Sequence, residues 1–296
     1  MLYLLLSILS SSAIMVTFKY FERYKVNIND AVAINYWIAI ALTFSLNKHN
    51  VSVEQAASAP WFYNAMVMGI MFILSFMLIG ISTRKMGVSV TTVANKMSLI
   101  VPVIFAVLIL GDRMEVLKAA GVAVAFLAVY LTFKKGRSEV ADKRFLFLPV
   151  MVFVSSGFID TFFKYNEEYT LGPESLESFM GWIFITAALV GIIIMIRQYI
   201  KHKHLPDKRA FLGATVLGLA NYFSIYFLLK TLSIDNIPSS VLFPVNNMGI
   251  IAVSSVAGII LFKEKLSRQN IIGLVLCLIA IGLISAPDVM KQISLD

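Results

Sequence analysis

A charged side chain inside an apolar run needs a reason, because the lipid interior costs it about 2.5–3.5 kcal/mol on insertion scales. Lys96, in the run SVTTVANKMSL, is the leading case. At helical spacing Ser89, Thr92 and Lys96 share one face, with Asn95 beside them. An ammonium on such a face would attract a carboxylate or phosphate as a point charge. The alternative is a lysine that snorkels to an interface or neutralises a structural carboxylate. A second set is Ser156, Asp160 and Lys164, spaced four apart. Asp160 and Lys164 can pair within their own helix, a structural role. Alternatively, Asp160 exchanges a proton for coupling or contacts an amine. Lys19 and Lys164 fall near segment ends and read as interfacial anchors. A third set runs from Ile237-Pro238-Ser239-Ser240 through Pro244 to Asn246-Asn247. Proline removes a donor and frees a carbonyl, and two asparagines offer donors and acceptors together. Pro102 interrupts the corresponding segment of the first half. Paired, proline-broken segments point to a binding site at mid-membrane, with kinked packing as the alternative. Asn221, Tyr222 and Ser224 are weaker candidates of the same kind.

The elements that must position these residues follow from composition. The chain has 296 residues, 59% hydrophobic and 14% charged, with mean hydropathy +0.83. A soluble domain carries about 25% charged residues. Ten apolar segments stand out, at 2–19, 31–46, 61–82, 87–110, 116–133, 145–165, 178–198, 210–230, 237–262 and 270–286. They lack the alternation of barrel strands, so helices are expected. The first run has no basic leader or Ala-x-Ala site and reads as a retained span. Cys277 is the single cysteine, which excludes an intrachain disulfide and a cysteine metal site. The three histidines, His49, His202 and His204, lie in polar connections, and the last two read as part of a solvated loop. No nucleotide-binding or hydrolase motif is present, so no cofactor, no metal and no nucleic-acid partner are expected.

The two halves align. A shift of 145 residues superimposes Ser10-Ser11 on Ser155-Ser156 and Phe18-Lys19-Tyr20 on Phe163-Lys164-Tyr165. A shift of 152 superimposes Asn95 on Asn247, Asp112 on Glu264 and Gly121 on Gly273. Five spans per half invert the second copy relative to the first, the arrangement of many secondary transporters. The expected organisation is a five-span repeat over 1–133, a basic linker at 134–144, a second repeat over 145–286 and a short tail at 287–296. Of the 25 lysines and arginines, 18 fall in the odd connections and their flanking turns. The positive-inside rule then puts the odd connections in the cytoplasm and both termini outside.

The stretch LFKEKLSRQNIIGLVLCLIAIGLI resembles a hallmark of the drug/metabolite transporter superfamily, EamA type. In that pattern a span ends, an acidic residue follows, and a glycine opens the last helix of the repeat. Glu264 and Gly273 match it, and Asp112 and Gly121 match it with Asp for the usual Glu. The resemblance implies an all-α membrane protein of ten helices in two inverted five-helix repeats around a central cavity. It also implies export or exchange of small metabolites. Many bacterial members keep both termini in the cytoplasm, opposite to the charge count here. The first half also resembles a small multidrug resistance subunit with one extra helix. That family's acid in the first helix is replaced here by Ser10-Ser11-Ser12.

The expected function is secondary transport of amino acids or related organic anions by alternating access, directed outward. Lys96 would hold the acidic group. Thr92, Asn95, Asn246 and Asn247 would add hydrogen bonds, and Ser11 and Ser156 would complete the wall. Protons are the expected coupling ion, through Asp160 or Lys96. The alternatives are a multidrug exporter of neutral or cationic compounds, a flippase for lipids or lipid-linked sugars and, remotely, a membrane-embedded enzyme.

Overall fold

The computed structural model describes residues 2–46, 56–109, 115–133, 143–172, 175–234 and 239–293. Among the described residues eleven long helices account for ten spans. They are α1 Leu2–Arg23, α2 Ile28–Leu46, α3 Phe62–Met86, α4 Val88–Met97, α5 Ile100–Ile109, α6 Val116–Phe133, α7 Phe147–Tyr169, α8 Leu176–His202, α9 Lys208–Ile234, α10 Ser239–Phe262 and α11 Arg268–Ile293. Among the described residues nine helical stretches are long and apolar enough to cross a bilayer, with α4 and α5 together forming one of them. The shorter apolar helix Val116–Thr132 makes the tenth. Asp112, His49, Pro238 and most of the linker lie outside the described residues.

Several helices outrun the apolar segments that announced them. The eighth segment, expected at 210–230, is Lys208–Ile234, and the seventh, expected at 178–198, is Leu176–His202. Lys, Arg and Gln are good helix formers. The backbone therefore continues for a turn beyond the hydrocarbon while the sequence has already turned polar.

The packing is that of an inverted repeat. The helix pairs α1–α9 and α2–α9 recur as α7–α3 and α8–α3, and α1–α10 recurs as α7 against α4 and α5. The α6–α11 pair lies on the pseudo-two-fold axis and shows it residue by residue. A β-carbon on Gly121 would meet Ile284, and one on Gly273 would meet Thr132 and the Ala128 carbonyl. The shift of 152 that carries Gly121 onto Gly273 also carries Thr132 onto Ile284, so the two crossings are one contact seen twice.

At the face carrying the odd, basic connections, the halves are tied by polar contacts. The His204 imidazole lies 2.6 Å from Asp30 Oδ2, at the start of α2. The Asp30 side chain is 2% exposed. His204 is therefore a partner of a buried carboxylate, and the reading of a purely solvated loop is corrected at this position. Asn27, which also caps the backbone of Asn29 at 2.9 Å, lies 3.2 Å from the same imidazole.

Candidate functional site

The fourth span breaks in its middle. Proline 102 has no N–H to give to the Ser98 carbonyl one turn earlier. That carbonyl takes the Val101 N–H at 2.8 Å instead, a tighter turn, and α4 ends at Met97 while α5 begins at Ile100. The Ser98 hydroxyl sits at the break, 2.6 Å from the Asn95 carbonyl and 2.8 Å from Asp160 Oδ2. One turn away the Asn95 amide donates to Ser156 Oγ at 2.8 Å. Asn95 and Ser98 on α4 thus meet Ser156 and Asp160 on α7 as a two-rung polar zipper. The match in spacing is helical: three residues on one side face four on the other.

Asp160 is solvent-exposed, yet it is not on the lipid side of α7. The exposed apolar stripe of that helix runs through Phe147, Met151, Val154 and Phe158. Two residues on from Phe158 is a rotation of roughly 200°. The carboxylate therefore points away from the apolar stripe, toward α4. Lys96 is half-buried and close enough to attract Asp160 electrostatically, though no ion pair joins them. Asp160 is likewise not ion-paired to Lys164, so of the two readings of Asp160 the pairing within its helix is not seen. The reason is local: Asp160 turns toward α4, where Ser98 offers a hydroxyl. Lys19, the counterpart of Lys164, is bonded to Glu22 at 2.8 Å and to the Arg84 carbonyl at 3.2 Å.

The remaining predicted residues divide into two groups. The Thr92 hydroxyl and Asn246 Oδ1 are buried and have no hydrogen-bond partner among the described residues. Buried polar atoms are normally paired, so these two are open to a water or a ligand. Asn247 and Ser11 are half-buried counterparts of Asn95 and Ser156, on helices that also pack together, but no hydrogen bond joins them. By contrast Asn221 is drawn off to α2, donating to Asn35 Oδ1 at 3.1 Å. The Ser224 carbonyl accepts the Ser7 hydroxyl at 2.8 Å, so this face of α9 packs on α1 and α2. Tyr222 is buried, stacked on Tyr226 at 5.9 Å.

The site is one-sided. In the repeat frame Ser98 corresponds to Ile250, Asp160 to Met15 and Lys96 to Met248, so one rung of the second copy is apolar, while Asn247 and Ser11 keep the other polar. The prolines are not equivalent either. Pro244 aligns with Thr92 rather than with Pro102, and α10 runs unbroken through it.

Sequence reasoning missed two groups. Ser98 was not singled out, although a serine four residues before a proline is a recognisable signal for a freed carbonyl. Glu264 was noted as a motif without a job. Its carboxylate accepts the Val88 N–H at 2.6 Å, the Ser89 N–H at 3.2 Å and the Ser89 hydroxyl at 3.0 Å.

Comparison with known proteins agrees with this architecture. Residues 144–286 match the EamA-like transporter family. An uncharacterized protein of Haemophilus influenzae is 27% identical over 288 residues, spanning 94% of this chain and 95% of its own length. A crystal structure of another protein superposes with a TM-score of 0.62 at 13% identity, over 95% of this chain and 94% of that one, which shows the shared fold. The helices make this a multi-pass membrane protein, and the match supports a transporter of the drug/metabolite type. It is the second half of the chain that matches the EamA-like transporter family.

Proposed function

We propose that the protein is a secondary transporter of amino acids or related small organic anions, working by alternating access and directed out of the cell. The observation that carries this reading is the pair Lys96 and Asp160, opposite charges within spans that meet at a helix break. Among the described residues Lys96 has no counter-ion in contact, so its ammonium is available to a substrate carboxylate. Asn95, Thr92, Asn246 and Asn247 supply polar contacts around it, and Ser156 and Ser11 belong to the facing helices. Asn221 and Tyr222 belong to the outer support of α9. Lys96 lies about 12 Å along its span, which is near mid-membrane at 1.5 Å per residue.

The membrane is the cytoplasmic membrane of a bacterial-type cell, with the basic face inward and the termini outside. Two opposed charges at one helix break suit proton exchange, so Asp160 is the coupling group in this proposal and no further cofactor is required. The test is uptake of labelled amino acids and dicarboxylates by proteoliposomes, with and without an imposed pH gradient. Transport that accelerates with the gradient, and loses that acceleration in Asp160→Asn, supports coupling. Equal rates with and without the gradient remove it.

A further inference from the structure

The end of α10 is built around one carboxylate. Lys263 adopts a left-handed conformation, φ 54°, and the Glu264 N–H reaches back to the Gly258 carbonyl at 3.1 Å. This is the helix-ending turn that folds the following residue over the last turn. It lays the Glu264 side chain on Gly258, where a β-carbon would come within 2.6 Å of Oε2. On the other side Gly87 is all that separates α3 from α4. Its φ of 96° favours glycine, and a β-carbon there would sit 2.8 Å from Oε1. Two glycines thus make room for a carboxylate of the second half to cap the first turn of a helix of the first half. Charge-assisted bonds of this kind, at the positive end of a helix, are among the stronger polar contacts.

Other contacts converge on the same end. Tyr20 of α1 meets Phe262 of α10 at 5.0 Å, and Lys19 ties α1 to the Arg84 carbonyl at the end of α3. Beyond the break at Ser98 the arrangement changes. α10 packs on α4, whereas α5 packs on α7 instead. The inverted repeat makes the asymmetry readable. α1 packs on α3 at the basic face, yet among the described residues the counterpart pair α7 and α9 makes no comparable contact. The two central spans are closed at the Glu264 end and splay apart toward the opposite face.

We infer that Glu264 is the latch of a gate at the basic face, holding α4 against α10 so that the Lys96–Asp160 cavity opens only to the other side. This rests on the transport reading above. Release of the carboxylate frees the start of α4, the helix that carries Thr92, Asn95 and Lys96.

The test reads the gate without any substrate. In a Cys277→Ala background, Asp160→Cys serves as a reporter for a membrane-impermeant maleimide added to one face at a time. With Glu264 intact, labelling is fast from the face opposite the basic connections and slow from the basic face. Glu264→Gln raises labelling from the basic face by about tenfold or more, the loss of one charge-assisted contact. Gly258→Ala, which displaces the carboxylate from the other side, does the same, and Glu264→Asp falls between. Unchanged labelling at the opposite face shows that each variant is folded. Fast basic-face labelling with Glu264 intact, or no increase in folded Glu264→Gln and Gly258→Ala, overturns the latch. A protein that gates in this way yet moves none of the proposed substrates keeps the latch and loses the transport reading.

Discussion

Replacing Lys96 by methionine gives the first half the residue the second half already has at the equivalent place, Met248. The length of the side chain is nearly kept and the charge is removed. If Lys96 holds a substrate carboxylate, that carboxylate then loses its cationic partner. A hydrogen bond to a charged group contributes about 1.5–3 kcal/mol, a factor of roughly 10–150 in affinity. Asp160 is solvent-exposed, so water screens the site and the low end of that range applies. The expectation is a rise in Kd of about tenfold for a carboxylate-bearing substrate. Esters or amides of the same substrate, which lack the charge, should bind wild type and variant alike. Titration calorimetry on purified protein, with exchange in proteoliposomes, measures both. Loss of affinity for charged and uncharged ligands together would mean that Lys96 shapes the cavity and does not read charge. No loss for either would remove it from the site.

Gly273→Ala places a β-carbon 2.7 Å from the Thr132 nitrogen and 2.9 Å from the Ala128 carbonyl. Backbone atoms cannot step aside, so the α6–α11 pair should lose about 1–3 kcal/mol, seen as a lower midpoint in thermal unfolding in detergent. Gly121→Ala should cost a similar amount, because it perturbs the symmetry-related crossing. His204→Ala strips the imidazole from the buried Asp30 carboxylate and should destabilise by about 1–3 kcal/mol, with His204→Gln recovering part of it. For orientation, a cysteine placed in the 134–142 connection of a Cys277→Ala protein should react from the cytoplasmic side. One at the exposed Tyr63, at the start of α3, should react from outside. The reverse pattern would show that the charge asymmetry does not set the topology.

The helical architecture was legible because lipid leaves so few options. A run such as Phe72–Gly80 has no reading but a helix in a membrane, and glycine pairs such as Gly121 and Gly273 marked the two-fold before any coordinates. Lys96 and Asp160 stood out for the same reason, since charge is expensive there. Their partners were less visible. Ser98 is an ordinary residue in an ordinary composition, and only the lost N–H of Pro102 gives it a task. Pairing within a helix is the nearest option that sequence spacing offers Asp160, but the facing helix supplied a better one. Glu264 works 176 residues from Val88, a distance that local patterns do not span. Asn221 shows the opposite error: an amide in a span looks like a ligand group until Asn35 arrives to hold it.

The zipper of Asn95 and Ser98 with Ser156 and Asp160 has a kinematic consequence. Its four residues bind a helix of one repeat to a helix of the other, whereas in the counterpart on α1 and α10 one rung is Met15 and Ile250 and no hydrogen bond joins Asn247 to Ser11. A solute held by Lys96 is then attached to a carriage made of α4 and α7. Across from it Met15, Met248 and Ile250 carry no charge, and the polar groups left are the neutral Asn246, Asn247 and Ser11. Such a wall can slide past the cargo without first breaking an ion pair to it. The two repeats share one packing plan; the side chains decide which pair of helices carries the load and which lets go.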